Sequence, residues 1–234
     1  MSITHLRHFN CARCDSPIKA RVAQSVNAGR HPHMRRAILR RIFHLFACQA
    51  CEAPNVVETD FLYIDFERRQ FFGVFPPEAS VRARACAEQV VSAFEQAFAS
   101  AAAKRSGADG GEFQVRVCFG LEELREKILA AEEGLDDLTL EALKADVLAA
   151  REGLQRDAVQ TLRLDSVDPA SGDLHFLTEI GGEPPHVRLD RMVIVERALY
   201  DAVDRPWTEI LEARPYLASG PHVSVLRALT WSPL

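Results

Sequence analysis

Cys11-Ala12-Arg13-Cys14 and Cys48-Gln49-Ala50-Cys51 are the two stretches on which the reading of this chain turns. Two residues between cysteines let one tight turn present both sulfurs to a single ion. Two such turns on neighbouring β-hairpins complete a tetrahedral shell of four thiolates, the arrangement of a zinc ribbon. The 33 residues between the pairs exceed the usual gap, so an insertion sits between the knuckles. A redox Cys-x-x-Cys usually opens a helix. Here Cys14 runs into Asp15-Ser16-Pro17, which is turn chemistry. An iron–sulfur cluster uses the same four thiolates and stays open as an alternative. A closed four-thiolate shell leaves no position for a substrate, so the expected role of the metal is structural. The other cysteines, Cys86 and Cys118, lie in an Ala-rich helix and an apolar strand and read as small core residues.

Around the knuckles the sequence alternates in class. Ile18, Val22 and Val26 mark a strand returning from the first turn. Pro32 precedes Met34, Ile38 and Ile42, the stripe of a short helix with Arg35, Arg36, Arg40 and Arg41 on its other faces. Phe43 to Ala47 leads into the second knuckle. Phe61 to Phe66 and Phe71 to Phe75 read as a buried hairpin ended by Pro76-Pro77. Residues 78–104 read as a long helix with Val90, Phe94 and Phe98 facing the core, followed by a loop at Ser106 to Gly111. Phe113 to Phe119 is a strand. Leu121 to Leu135 holds a helix stopped near Gly134, and Asp136 or Asp137 caps the next. Leu162 to Val167 and Leu174 to Ile180 form a second hairpin, and Gly181 to Pro185 a loop. Arg191 to Val203 and Trp207 to Ala213 read as the last helices.

The predicted class is therefore α+β: an N-terminal four-cysteine zinc ribbon on a mixed body of β-hairpins and helices. The expected division is a ribbon module with its aromatic hairpin over 1–77 and a body over 78–234. Within the body, 151–234 is an extension of unknown role.

The chain has 234 residues, 47% of them hydrophobic, enough for a core, so a disordered chain is excluded. No uncharged apolar run approaches the roughly 20 residues that span a bilayer. The start, MSITHLRHFN, lacks the apolar core of an export signal, so the expected compartment is the cytoplasm and disulfides are not expected. The net charge of −5 hides an asymmetry. Residues 1–51 hold nine Lys or Arg against Asp15 alone, a net of +8, and the remainder carries −13.

Three functional classes compete. A zinc ribbon presents a rigid hairpin, and the charge asymmetry would steer a protein partner; this is the favoured reading, an interaction or adaptor module that is not an enzyme. The acidic helices from Leu121 to Ala149 offer a second surface or a plain solvated face. Nucleic acid is the alternative partner, with Arg35, Arg36, Arg40 and Arg41 contacting phosphates and Phe9, Phe43 and Phe46 stacking on bases. The same arginines would equally contact an acidic protein, and a homodimer could dock the basic face on the acidic body. An enzyme is the third class. The histidines include the cluster His31-Pro32-His33 and His44; the His-x-His could join a second metal site, or His33 could act as a base, but no nucleophile motif, phosphate loop or His-Glu-x-x-His accompanies them.

The knuckles, the gap between them and the segments C-terminal to them resemble the bacterial CpXC family, named for its paired Cys-Pro-x-Cys motifs. Val26-Asn27-Ala28, Leu39 to Phe46 and Phe61-Leu62-Tyr63-Ile64-Asp65 look like its inter-knuckle region and its aromatic strand ending in Asp. Arg116 to Lys144 is similar to its helical signature. The resemblance covers roughly residues 5–150 and implies Cys11, Cys14, Cys48 and Cys51 as metal ligands. It implies no activity, because the family is largely uncharacterised. Both family prolines are replaced, by Ala12 and Gln49. Asp15 and Glu52 stand where a glycine often follows the second cysteine; Asp tolerates the left-handed conformation there better than Glu.

Overall fold

β1 (Ile3–Asn10) and β2 (Pro17–Asn27) form a long antiparallel hairpin whose tip is the first knuckle. Its β2 half alternates as the sequence dictates: Ile18, Ala20 and Val22 are buried, Lys19 and Arg21 exposed. The computed structural model describes residues 2–99, 113–150, 159–180 and 188–229. The loops expected at 106–111 and 181–185, and the last turn of the helix over 78–104, lie outside them. The chain is α+β, and it divides into two compact units, Met1–Leu124 and Arg125–Leu234.

In the first unit five strands form one sheet in the order β1-β2-β5-β6-β7, where β5 is Phe61–Asp65, β6 is Gln70–Phe75 and β7 is Gln114–Phe119. β2 runs parallel to β5, and β6 parallel to β7. Helix α1 (Pro32–Leu39) and the short hairpin β3 (Leu45–Ala47) and β4 (Pro54–Val56) fill the crossover from β2 to β5. Because β7 joins the same sheet, strand pairing carries this unit well past Pro77. After a 3₁₀ turn at Pro77–Arg82, α2 (Ala83–Ala99) covers one sheet face. Cys86 and Val90 pack on Phe71, Phe75, Val117 and Phe119, with Phe94 and Phe98 beside them. Each buried aromatic of this kind contributes roughly 1.5–3 kcal/mol. Cys86 and Cys118 are core residues, as their surroundings in the sequence suggest. Gly73 sits beneath Val90 so closely that a Cβ would collide with its Cγ2 methyl. Asp65, fully buried, closes the β5–β6 turn by accepting from the Glu67 and Arg68 backbone N–H groups at 3.1 Å each.

Helix α1 ends sooner than its stripe suggests. Arg41 takes a left-handed turn (φ 57°), and the Ile42 N–H bonds back to Ala37 O at 3.0 Å. Ile42 is thereby turned outward, 55% exposed, instead of extending the row of Met34 and Ile38.

The second unit holds most of α3 (Leu121–Glu132), then α4 (Asp137–Ala150) and an antiparallel sheet in the order β10-β9-β8. β8 is Val159–Val167, β9 Leu174–Ile180 and β10 Arg188–Val195. Gly134 ends α3 at φ +66°, with the Leu135 N–H on Ala130 O at 2.8 Å. Asp136 caps α4, its Oδ1 accepting from the Thr139 N–H at 2.8 Å. Leu140, Leu143, Leu162, Leu164, Phe176 and Val193 form the core. Two short helices follow, α5 (Arg197–Val203) and α6 (Trp207–Ala213). A small hairpin, β11 (Ala218–Ser219) and β12 (His222–Val223), and a 3₁₀ turn at Val225–Leu229 come after them.

Two sequence readings need correction here. The helix expected over Arg191–Val203 is a strand followed by a helix. Met192, Val193, Ile194 and Val195 alternate between the two sheet faces, with Val193 and Val195 buried and Met192 and Ile194 exposed. The acidic helices also do not simply present their charges to water. Glu126, Lys127, Asp137, Glu141 and Lys144 are at most 2% exposed. Lys144 bridges Glu126 at 3.0 Å and Glu141 at 2.8 Å; Lys127 bridges Asp137 at 3.2 Å; Arg163 from β8 reaches Glu126 at 3.2 Å. Burial pushes Glu126 up, but Lys144 and Arg163 outweigh it and hold the carboxyl below its usual range. No described helix is long and apolar enough to cross a membrane.

Candidate metal centre

The two knuckles repeat one backbone solution. In the first, the Cys11 N–H donates to Ser16 O and the Asp15 N–H to Cys11 O, each at 2.9 Å. In the second, the Cys48 N–H donates to Ala53 O at 2.9 Å and the Glu52 N–H to Cys48 O at 2.8 Å. Asp15 and Glu52 both adopt φ 58°, the left-handed conformation that folds each turn around its sulfurs. The acidic replacements of glycine therefore keep the glycine backbone. Asp15 is further fixed by the Asn10 side-chain amide, which donates to its Oδ1 at 3.0 Å.

These turns bring the four Sγ atoms within 4.8 Å of one another. Cys11 to Cys51 and Cys14 to Cys48 are each 3.6 Å apart. Four thiolates held about 2.3 Å from a tetrahedral zinc are separated by about 3.8 Å, so the donor set fits such an ion. No disulfide joins them. Cys11 and Cys48 are buried, while Cys14 is exposed. Burial pushes the Cys11 thiol up, but the Arg13 and Cys14 N–H groups, Asn55 and Cys51 outweigh it and hold it at about 6. Ser16 lowers Cys14 in the same sense. Cys51 moves the other way: the Ala53 N–H favours its thiolate, but Cys14, burial and the other two sulfurs push it up to about 12. Four crowded sulfurs resist losing their last proton, and a bound cation relieves that resistance.

Asn55, on β4, ties the knuckles together. Its Oδ1 accepts from the Ala12 N–H at 2.9 Å, and its Nδ2 donates to Ala53 O at 2.8 Å and lies 3.6 Å from Cys11 Sγ. Nothing in the sequence pointed to it beyond a polar residue between Pro54 and Val56; its partner lies 43 residues away.

The four arginines expected to contact a partner are not equivalent. Arg35 is buried, with Nε 4.0 Å from Asp65. Arg41 is held by both carboxylate oxygens of Glu122, at 2.9 and 3.0 Å. Arg36 and Arg40 are exposed. The aromatic rings proposed for stacking are packed: Phe43 lies on His44 at 4.0 Å, and Phe9 meets Phe46 at 6.2 Å. His44 is buried and uses both ring nitrogens, Nε2 on the Ala23 N–H at 2.8 Å and Nδ1 near Val57 O at 3.2 Å. Among the described residues, the four cysteines are the one group of three or more side chains placed to hold a metal ion, and neither His31, His33 nor His44 joins it.

The model of the family described as CpXC protein matches residues 9–144, from the end of β1 through both knuckles and into α4. No curated protein and no solved structure matches the chain.

Proposed function

The chain belongs to the CpXC family, and from that premise we propose that Cys11, Cys14, Cys48 and Cys51 hold a structural zinc ion in a non-enzymatic protein-interaction or adaptor module. The supporting observation is the pair of equivalent knuckles that converge four thiolates on one point at the tip of the β1–β2 hairpin. Zinc bound there neutralises thiolate charge and cross-links two hairpins whose own hydrophobic cluster is small: Cys11, Ile18, Ala20 and Cys48, with Phe9, Phe46, Cys51 and Ala53 around them. Asn55 positions the turns, and the ribbon is the segment that a chelator unfolds first. A shell filled by four protein thiolates leaves no coordination position for a substrate, which favours a binding role over a catalytic one.

Direct nucleic-acid binding has less support. The rings needed for stacking are engaged in packing, and two of the four arginines are committed to Asp65 and Glu122. Affinity purification of the full chain from its native cell, with and without nuclease, separates the readings. A stoichiometric protein partner that survives nuclease supports the adaptor. Capture of nucleic acid alone, lost with nuclease, contradicts it.

A further inference from the structure

We propose that the free edge of β1 accepts an acidic, extended segment of a partner protein as an added strand. This rests on the interaction-module reading and names its partner chemistry. Among the described residues β1 is the first strand of its sheet and pairs on one side, with β2. Alternate N–H and C=O groups along its other side therefore face outward, a template for one more strand. The two edges of this sheet differ. β7 has four of its six residues buried, whereas β1 has six of its eight exposed, with Ile3 at 51% and Leu6 at 55%. Apart from a register shift between Ile3 and Thr4, β1 pairs regularly to Asn10, and it contains no proline.

Charge selects the occupant. Arg7 lies on β1; Arg13 lies in the knuckle; Lys19 and Arg21 stand on β2 opposite His8 and Leu6. All four are exposed. Among the described residues none of these four has a carboxylate within ion-pair distance; Arg7 donates to a backbone carbonyl, Glu58 O, at 3.3 Å. Asp15 is the sole acid in residues 1–51. A second copy of β1 would bring Arg7 against like charge with no acidic residue to answer it, and like charges across a strand pair are destabilising. An acidic strand meets opposite charge at Arg7, with Lys19 and Arg21 on the neighbouring strand, and gives Leu6 an apolar neighbour.

The probe is a fluorescein-labelled ten-residue peptide of alternating glutamate and valine, titrated into the zinc-loaded full chain, with an alternating lysine–valine peptide as control. Anisotropy should rise with the acidic peptide, and affinity should fall at least tenfold in 0.5 M salt or in an Arg7→Glu/Lys19→Glu/Arg21→Glu variant. Hydrogen exchange should slow at β1 amides when the peptide binds. These surface substitutions leave the ligands intact, and zinc content measured on the same samples verifies the fold of the ribbon. Absence of binding at low salt, equal binding of the lysine peptide, or binding without protection of β1 overturns the proposal. So does concentration-dependent protection of β1 without peptide, which assigns the edge to a second copy, or displacement of the peptide by a single-stranded oligonucleotide. Any of these results with one equivalent of zinc still bound leaves the metal reading standing.

Discussion

Asp15 and Glu52 share one backbone conformation, φ 58° at each, one residue past the second cysteine of their knuckles. The position demands a left-handed residue, and each side chain occupies it at a different cost. Asp tolerates that conformation and is held by Asn10; an unsupported Glu costs about 1 kcal/mol. Glu52→Gly should therefore raise resistance of the bound metal to a competing chelator by about fivefold, while Asp15→Gly should leave it nearly unchanged. Equal responses at the two sites would show that the conformation is not what limits the second knuckle.

Asn55 joins the knuckles through a bond to each turn. Asn55→Ala removes the acceptor of the Ala12 N–H, a loss of about 0.5–1.5 kcal/mol for a hydrogen bond at a part-buried site. Metal affinity in a chelator competition should fall by about two- to tenfold with all four ligands present. Unchanged affinity would mean that Asn55 has no part in holding the site.

Gly73 and Val90 form a matched pair between β6 and α2. Gly73→Ala should destabilise the first unit by about 1–3 kcal/mol in urea unfolding. Val90→Ala removes the methyl that the new Cβ meets, so the double variant should be more stable than the sum of the single losses. Strict additivity would contradict the close approach.

His222 supplies a pH dependence in the second unit. Burial, then Arg227 and Lys127, push its imidazole from the usual 6.5 down to about 3. The unfolded chain therefore takes up a proton that the folded unit refuses. Stability is full above pH 6.5 and is lost as pH falls from 6.5 towards 3, on the order of 4 kcal/mol across the window. Trp207, on α6, lies in this unit, so its fluorescence reports the unfolding. His222→Gln should flatten the dependence between pH 6.5 and 4.5, where most carboxylates are still ionised.

The sequence was most legible where structure is local. The knuckles, the β5–β6 and β8–β9 hairpins, the stop at Gly134, the cap at Asp136 and the stripe of Val90, Phe94 and Phe98 all come from spacing within a few residues. It was least legible where a partner lies far along the chain. Arg35 looked like surface because Asp65, 30 residues on, is what draws it inward. Lys144 and Glu126, 18 residues apart, resembled solvated charges until the α3–α4 turn brought them together. β10 merged with α5 because no Gly or Pro separates Val195 from Arg197, so a four-residue alternation read as the first turn of a helix.

The central claim is a structural zinc held by four sulfurs. Metal analysis with X-ray absorption at the metal edge, on the full chain purified without added metal, tests it directly. The predicted result is one zinc per chain with four sulfur ligands, and loss of that zinc in Cys11→Ser/Cys48→Ser. Less than half an equivalent of any metal, or iron with inorganic sulfide in its place, would contradict it.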